Sequence, residues 1–261
     1  MLKKKFLYLF VSFIISVVFF YFQRVTGPTY PYKGIINIGN DKLRFKLPRS
    51  CTLSLDCKIS FWGKIEGYIL YKRYRVNENY TKVNFVYDGQ RSYANLKLEL
   101  PKASKIEYRV FIKKEDSWME ATKKPIVLRF KGYVPFYLLI PHIIFMYLFF
   151  LLSTYLFLLN NLVWIFDRKV FYLTFFSLLA GGFIFGPLVQ RYAFDVYWSG
   201  FPYGYDLTDN KTLLILIIWL FPLYSVVKNV SLRRNLNIAY FFTVLIYLIP
   251  HSVLGSEYKF R

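Results

Sequence analysis

The chain is poor in the side chains from which most catalytic and metal centres are built. Its 261 residues include two histidines, two cysteines and three methionines. No GxSxG, Walker-type phosphate loop, HExxH, CxxC or CxxCH pattern occurs. That removes the sequence signatures of α/β-hydrolases, P-loop nucleotide enzymes, zinc proteases, thiol redox domains and covalently attached haem. No pair of acids stands within an apolar run, and no inverted repeat or pair of charged helices is present, so transport through this chain alone is not expected. Acid is scarce too: 15 Asp and Glu stand against 35 Lys and Arg, a formal net charge of +20.

Apolar and aromatic residues are abundant. Hydrophobic residues make up 56% of the chain and aromatics 22%, above the roughly 45–50% apolar content of soluble domains. The excess lies in blocks. Phe6 to Phe22 is an apolar run directly after Lys3, Lys4 and Lys5. The FFYFQRVTGPTY that follows lacks the small residues of a signal-peptide cleavage site, so residues 1–24 read as a retained signal-anchor helix. Further runs cover Val134 to Ile165, Val170 to Pro187, Leu213 to Val227 and Leu236 to Pro250. The expectation is about five transmembrane helices, the last four forming a domain over residues 133–261 with a loop at 188–211. Basic flanks at Lys3–Lys5, Arg168-Lys169 and Arg233-Arg234 fall on one side of a five-span chain, and the positive-inside rule makes that side cytoplasmic. The segment between the first two helices, the 188–211 loop and the C-terminus are then exoplasmic.

From about residue 35 to 130 the pattern changes to period two, in runs such as LRFKL, YILYKRYRV, YANLKLEL and IEYRVFI. Turn residues break these runs at NEN, DGQ, LPKAS and KKP. Seven or eight short strands without helical periodicity point to an all-β sandwich, immunoglobulin- or fibronectin-like in architecture, over residues 30–131 and inserted between helices 1 and 2. The Cys…Trp…Cys spacing of true immunoglobulin domains is absent. Between Arg24 and Lys131 there are 23 basic and 10 acidic residues. An exoplasmic location turns that charge away from nucleic acid and towards anionic lipid headgroups or envelope polymers. Cys51 and Cys57 are six residues apart. Along one extended strand that distance is about 20 Å, far beyond disulfide reach. A bridge therefore needs a turn inside TLSLD, which offers no Gly or Pro, and two free thiols are the competing state.

The candidate chemistry gathers on the outer side. Both histidines close the tetrapeptide Leu-Ile-Pro-His, at His142 and His251. Facing each other, two imidazoles could ligate a haem iron or a transition metal. The plainer reading has each one hydrogen-bonding a backbone carbonyl or a loop carboxylate. In the loop, Asp206 and Asp209 read either as a cation site or as helix-capping residues, with Thr208, Asp209 or Asn210 at the cap. Arg191 can pair with Asp195 or with Glu257 of the tail, or clamp an anion. Trp198, with Tyr192, Tyr197, Phe201, Tyr203 and Tyr205, reads as an interfacial aromatic belt or the lining of a cleft.

The succession RFKGYVPFYLLIPH, GPLVQRYAFDVYWSGFPYGYDLTDNKT and LIPHSVLGSE resembles that of a set of uncharacterised bacterial multi-pass inner-membrane proteins. The resemblance covers about residues 126 to 258. It implies a bacterial plasma-membrane location and brings no activity, cofactor or catalytic residue with it. The function expected from all this is non-enzymatic: a scaffold or accessory subunit of an envelope complex, embedded in the bilayer, whose basic β-domain docks a membrane or envelope protein or an anionic lipid or polymer. Two alternatives remain. One is a haem- or metal-binding redox protein using His142 and His251. The other is a membrane enzyme with an outer-face site for a lipid-linked substrate.

Overall fold

A computed structural model of the chain describes residues 2–38, 41–250, 255–258 and 260. It divides into a helical unit, made of the chain up to Pro28 and of Val134–Gly255, and a β-rich unit made of Thr29–Tyr133 and the tail from Ser256.

The helical unit contains α1 (Leu2–Thr26), α2 (Phe136–Leu158), α3 (Arg168–Leu179), α4 (Gly186–Phe194), α5 (Leu207–Lys228) and α6 (Leu232–Leu248). Short π-helical segments extend α2 over Leu159–Val163 and join α3 to α4 over Ala180–Phe185. Four stretches are long and apolar enough to cross a membrane: Lys3–Thr26, Phe136–Val163, Arg168–Phe194 and Leu207–Lys228. The fifth expected span, α6, has 17 residues, about 26 Å at the helical rise, and falls short of the roughly 30 Å hydrocarbon core. Outward-facing Phe6, Phe10, Ile140, Ile144, Phe176, Phe221 and Phe241 are all exposed. Such a continuous apolar exterior is a surface for lipid.

Inside the unit, Trp219 is fully buried against Phe149 and Phe171 and donates to Thr243 Oγ1 at 2.9 Å. The buried hydroxyls of Ser16, Thr154, Thr174, Ser177 and Ser225 each bond a carbonyl four residues back in their own helix. This satisfies them where water is absent. Gly181 and Gly182 set the close approach of three helices: a Cβ on Gly181 would lie 2.9 Å from Met146 Sδ of α2, and one on Gly182 2.6 Å from Thr212 Cγ2 of α5.

Polar contacts tie the helices at two opposite ends. At one end, Gln23 of α1 donates to the carbonyls of Tyr247 and Ile249, and Lys211 of α5 donates to Ile249 O at 2.8 Å and Pro250 O at 3.4 Å. Together they cap the last turn of α6, whose carbonyls have no intrahelical partner. At the other end, Asn161 and Asn237 exchange amide hydrogen bonds at 2.8 and 2.9 Å. There Arg168 reaches Asn229 Oδ1 at 2.6 Å, and Arg233 lies 3.2 Å from the Trp164 ring centroid.

The 188–211 loop is shorter than expected. Helix continues through Pro187 to Phe194, and α5 begins at Leu207, leaving 195–206 irregular. Pro187 stands at the start of α4 directly after the π segment, a position where its missing N–H breaks no hydrogen bond.

Among the described residues the β-rich unit has eleven strands, against seven or eight expected: β1 (Tyr32–Ile38), β2 (Asp41–Leu47), β3 (Ser50–Thr52), β4 (Cys57–Trp62), β5 (Gly67–Arg73), β6 (Thr81–Asn84), β7 (Val86–Tyr87), β8 (Arg91–Leu96), β9 (Lys105–Lys114), β10 (Ser117–Glu120) and β11 (Ile126–Lys131). They form a β1-β2 hairpin, a six-stranded sheet in the order β3-β11-β9-β5-β6 with β10 beside β9, and a three-stranded sheet β4-β8-β7. All pairs are antiparallel except β3 with β11. Alternation follows the sequence period: in β9, Ile106, Tyr108, Val110 and Ile112 point inward with no exposure. Residues of all three sheets meet in one buried cluster around Phe45, Leu47, Ile59, Phe61, Ile69 and Leu128. The tail joins this unit, with Arg129 donating to Ser256 O, Tyr258 N donating to Ala103 O, and Glu257 paired with Lys105.

Cys51 and Cys57 form a disulfide with Cα atoms 5.7 Å apart. The turn that TLSLD seemed to withhold is present: Leu55 N bonds Thr52 O at 3.0 Å, and the chain reverses between β3 and β4. No glycine was needed, because a type I-like reversal is open to ordinary residues. The bridge ties β3 of one sheet to β4 of another. Closing so short a loop stabilises by about 2 kcal/mol on the chain-entropy account. Cys51→Ser is therefore expected to lower the stability of the β-rich unit by about that amount, read by denaturant unfolding under tryptophan fluorescence. Unchanged unfolding would mean that the turn holds without the bond.

Candidate functional site

The densest polar cluster of the helical unit is built on the loop between α4 and α5. Asp209, in the first turn of α5, is almost wholly buried. Its Oδ2 accepts from Ser199 N at 2.7 Å, Gly200 N at 3.1 Å, Ser199 Oγ at 3.2 Å and Gln190 Nε2 at 3.0 Å. Asp206, also buried, is the N-cap of α5: its Oδ1 accepts from Thr208 N at 2.8 Å, and its Oδ2 lies 3.1 Å from Ser199 Oγ. Asn210 Oδ1 accepts from Phe201 N at 2.6 Å. The first turn of α5 thus reads back onto the loop and holds its backbone N–H groups. Negative charge at this position also suits the helix dipole. Gly200 is required by contact, since a Cβ there would lie 2.7 Å from both Asp209 Cβ and Asn210 Oδ1.

Around this cluster the loop surface is aromatic. Trp198 stacks on Phe183 at 5.9 Å and donates Nε1–H to Phe201 O at 3.0 Å. Tyr203 and Tyr205 are 83% and 94% exposed, and Tyr192, Tyr197 and Phe201 are exposed as well. Exposure so high describes a rim that faces outward and does not line an enclosed cleft. Arg191 pairs with Asp195 at 3.0 Å and also donates to the Asp195 carbonyl at 2.6 Å, both side chains being exposed. Glu257 is not its partner: it lies in the β-rich unit with Lys105.

His142 is half-buried in α2, and its Nδ1–H donates to Gly181 O at 2.9 Å. The freed carbonyl belongs to the π segment of the neighbouring helix and not to the adjacent proline. Gly181 O accepts from Gly186 N as well, so both its lone pairs are used, and His142 locks α2 to the π segment. His251 lies outside the described residues, as does any meeting of the two histidines. Among the described residues no group of three or more His, Cys, Asp or Glu stands together to hold a metal. Residues to which the sequence assigns no role are Gln190, Ser199, Gln23 and Lys211. An amide or ammonium at the end of an apolar run was the available signal for all but Ser199.

Comparison with family models, curated proteins and solved structures finds no match to this chain.

Asp209→Ala strips the partner from two loop N–H groups and is expected to cost about 3 kcal/mol. Arg191→Ala removes an exposed pair and is expected to cost about 0.5 kcal/mol or less. Thermal unfolding of the detergent-solubilised chain measures both, and equal losses would contradict the hierarchy. His142→Ala is expected to cost about 1 kcal/mol, the scale of a hydrogen bond between membrane helices, and to leave the visible spectrum and metal content unchanged. A stoichiometric haem or metal signal lost with the histidine would reverse this reading.

Proposed function

We propose that this is a plasma-membrane protein of the bacterial envelope with no catalytic role of its own, a scaffold or accessory subunit that anchors a basic docking module outside the bilayer. The observation that carries the reading is how the candidate side chains are engaged. His142 binds a backbone carbonyl, Asp206 and Asp209 bind the loop, Trp198 binds Phe201 O, and Arg191 and Asp195 bind each other. Each does structural work that accounts for its position without a substrate.

Orientation follows from the basic ends. Four crossings by α1, α2, α3–α4 and α5 bring Lys3–Lys5, the Arg168-Lys169 turn and the Lys228–Arg234 turn to one side, which the positive-inside rule makes cytoplasmic. The two polar girdles support this alternation, since the ends of α1 and α6 meet the start of α5 at one girdle. The tail residues built into the β-rich unit support a fifth crossing by the shorter α6.

The β-rich unit reads as an immunoglobulin- or fibronectin-like sandwich lying between the first and second helices. Its strand order supports this. β11-β9-β5-β6 with β3 added in parallel matches the G-F-C-C′ sheet with an A′ strand, and β4-β8-β7 matches B-E-D. Such modules present two outer sheet faces for partners.

Sedimentation with protein-free bacterial cell envelopes tests the proposal. The full chain in neutral detergent is expected to sediment with the envelopes. A chain that stays in the supernatant, or one that changes the mass of an envelope lipid-linked component, contradicts it.

A further inference from the structure

The two outer faces of the β-rich unit carry charge in opposite ways. On the six-stranded sheet and its borders, four cations are matched by acids: Lys72 with Glu107 at 3.4 Å, Arg73 with Glu78 at 2.6 Å, Arg109 with Glu120 at 3.3 Å and Lys113 with Glu66 at 3.1 Å. Hydrogen bonding from Arg73 holds the Glu78 carboxyl below its usual range.

On the other face Lys42, Arg44, Lys46, Lys58 and Arg91 form no ion pair among the described residues. In the β1-β2 hairpin the outward, exposed positions are Lys33, Ile35 and Asn37 on β1 and Lys42, Arg44 and Lys46 on β2. The register sets Lys33 directly across from Lys46, Ile35 across from Arg44 and Asn37 across from Lys42. Like charges opposed on a strand pair are destabilising. β4 and β8 present Lys58, Ser60, Trp62, Arg91, Tyr93 and Asn95 outward. The backbones of β2 and β4 approach within 8 Å, closer than the roughly 10 Å between stacked sheets. Their inward rings, Phe45 and Phe61, touch at 5.5 Å. The hairpin and the three-stranded sheet therefore share one outer surface.

On that surface five cations, Lys42, Arg44, Lys46, Lys58 and Arg91, occupy outward positions, with Lys33 beside them over the Tyr30 ring, and among the described residues of these strands no acid stands at an outward position. The neighbouring acid, Asp88, accepts from the Arg91 and Gln90 amides of its own loop, which hold its carboxyl low with a smaller contribution from the Lys58 charge, and it forms no ion pair among the described residues.

We propose that this face binds a linear phosphate-bearing polymer, an inference that rests on the docking role assigned to the β-rich unit. On β2, Lys42, Arg44 and Lys46 lie at two-residue steps, about 7 Å apart, and Lys58 and Arg91 stand at opposite ends of the β4-β8 pair, so the cations do not converge on one point. A single small anion would reach one or two of them, whereas a polyanion reaches several in succession and gains from multivalency. Lysines, the majority here, meet phosphate as point charges. The aromatic rings argue against insertion into a bilayer, because Arg91 lies 3.7 Å from the Trp62 centroid and Lys58 4.8 Å from that of Tyr93. A cation held over each ring disfavours its insertion into a hydrocarbon layer, even though Trp62 is 63% exposed.

The test uses the full chain in neutral detergent with long-chain linear polyphosphate as the probe, beside orthophosphate and vesicles containing phosphatidylglycerol. The triple variant Lys42→Gln, Arg44→Gln, Lys46→Gln is expected to weaken polyphosphate binding by about tenfold or more and to flatten its salt dependence. The triple variant Lys72→Gln, Arg109→Gln, Lys113→Gln removes the same formal charge from the other face and is expected to change affinity less than twofold. If the first triple variant does not fold, Lys46→Gln alone is expected to weaken binding two- to threefold without loss of thermal stability. Equal weakening by the two triples would reduce the effect to net charge and overturn the proposal. Absence of polyphosphate binding, orthophosphate bound as tightly, or vesicles bound in preference would each overturn it too. Loss of polyphosphate binding with envelope sedimentation intact refutes only this inference; loss of both refutes the docking role as well.

Discussion

A polar group carried into a membrane must find its partner within the protein, and the helical unit is arranged around that constraint. Asp209 is where it presses hardest. A buried carboxylate at a helix start requires donors, and the loop supplies Ser199 N, Gly200 N, Ser199 Oγ and Gln190 Nε2. The demand of one side chain thereby folds the 195–206 segment, and the aromatic rim of Tyr197, Tyr203 and Tyr205 is displayed as a consequence. The same rule operates at Gly181, whose carbonyl in the π segment takes His142, and at the end of α6, whose last carbonyls take Gln23 and Lys211. What a sequence reader would mark as candidate chemistry is, in the fold, the fastening of helices.

Where the helical unit engages most of its buried polar groups, the β-rich unit carries five cations on one face without an ion pair among the described residues. Its core and disulfide fix the strands, so the outward positions of β1, β2, β4 and β8 are free to carry charge without affecting the interior. One outer surface pairs four of its cations with glutamates, and the other carries Lys42, Arg44, Lys46, Lys58 and Arg91 without an ion pair among the described residues. Lys42, Arg44 and Lys46 stand in a row along β2, and the proposed polyanion would relieve the repulsion among them.

Much of this was legible in the residues. Apolar blocks and period-two runs announced helices and strands, because both depend on local patterning, and the alternation in β9 matches its burial residue by residue. The helix boundaries were less legible: Pro187 reads as a stop, yet the π segment before it lets the helix run on to Phe194. The cap of α5 proved to be Asp206 and not the following residues, since three successive polar side chains compete for that role and only the loop path decides among them. The Cys51–Cys57 bond depended on a reversal that no glycine marks. The charge segregation was invisible to composition, because +13 over the segment says nothing about which strands pair with which acids.

The most direct measurement is lysine reactivity in place. The full chain would be treated with an acylating reagent in native envelope membranes and again after purification in neutral detergent, with modification read at each lysine by mass spectrometry. The account predicts that Lys42, Lys46 and Lys58 are shielded in the envelope and become reactive on purification, while Lys72 and Lys113 change little between the two states. Equal change on both faces, or no shielding of the hairpin lysines in the envelope, would contradict it.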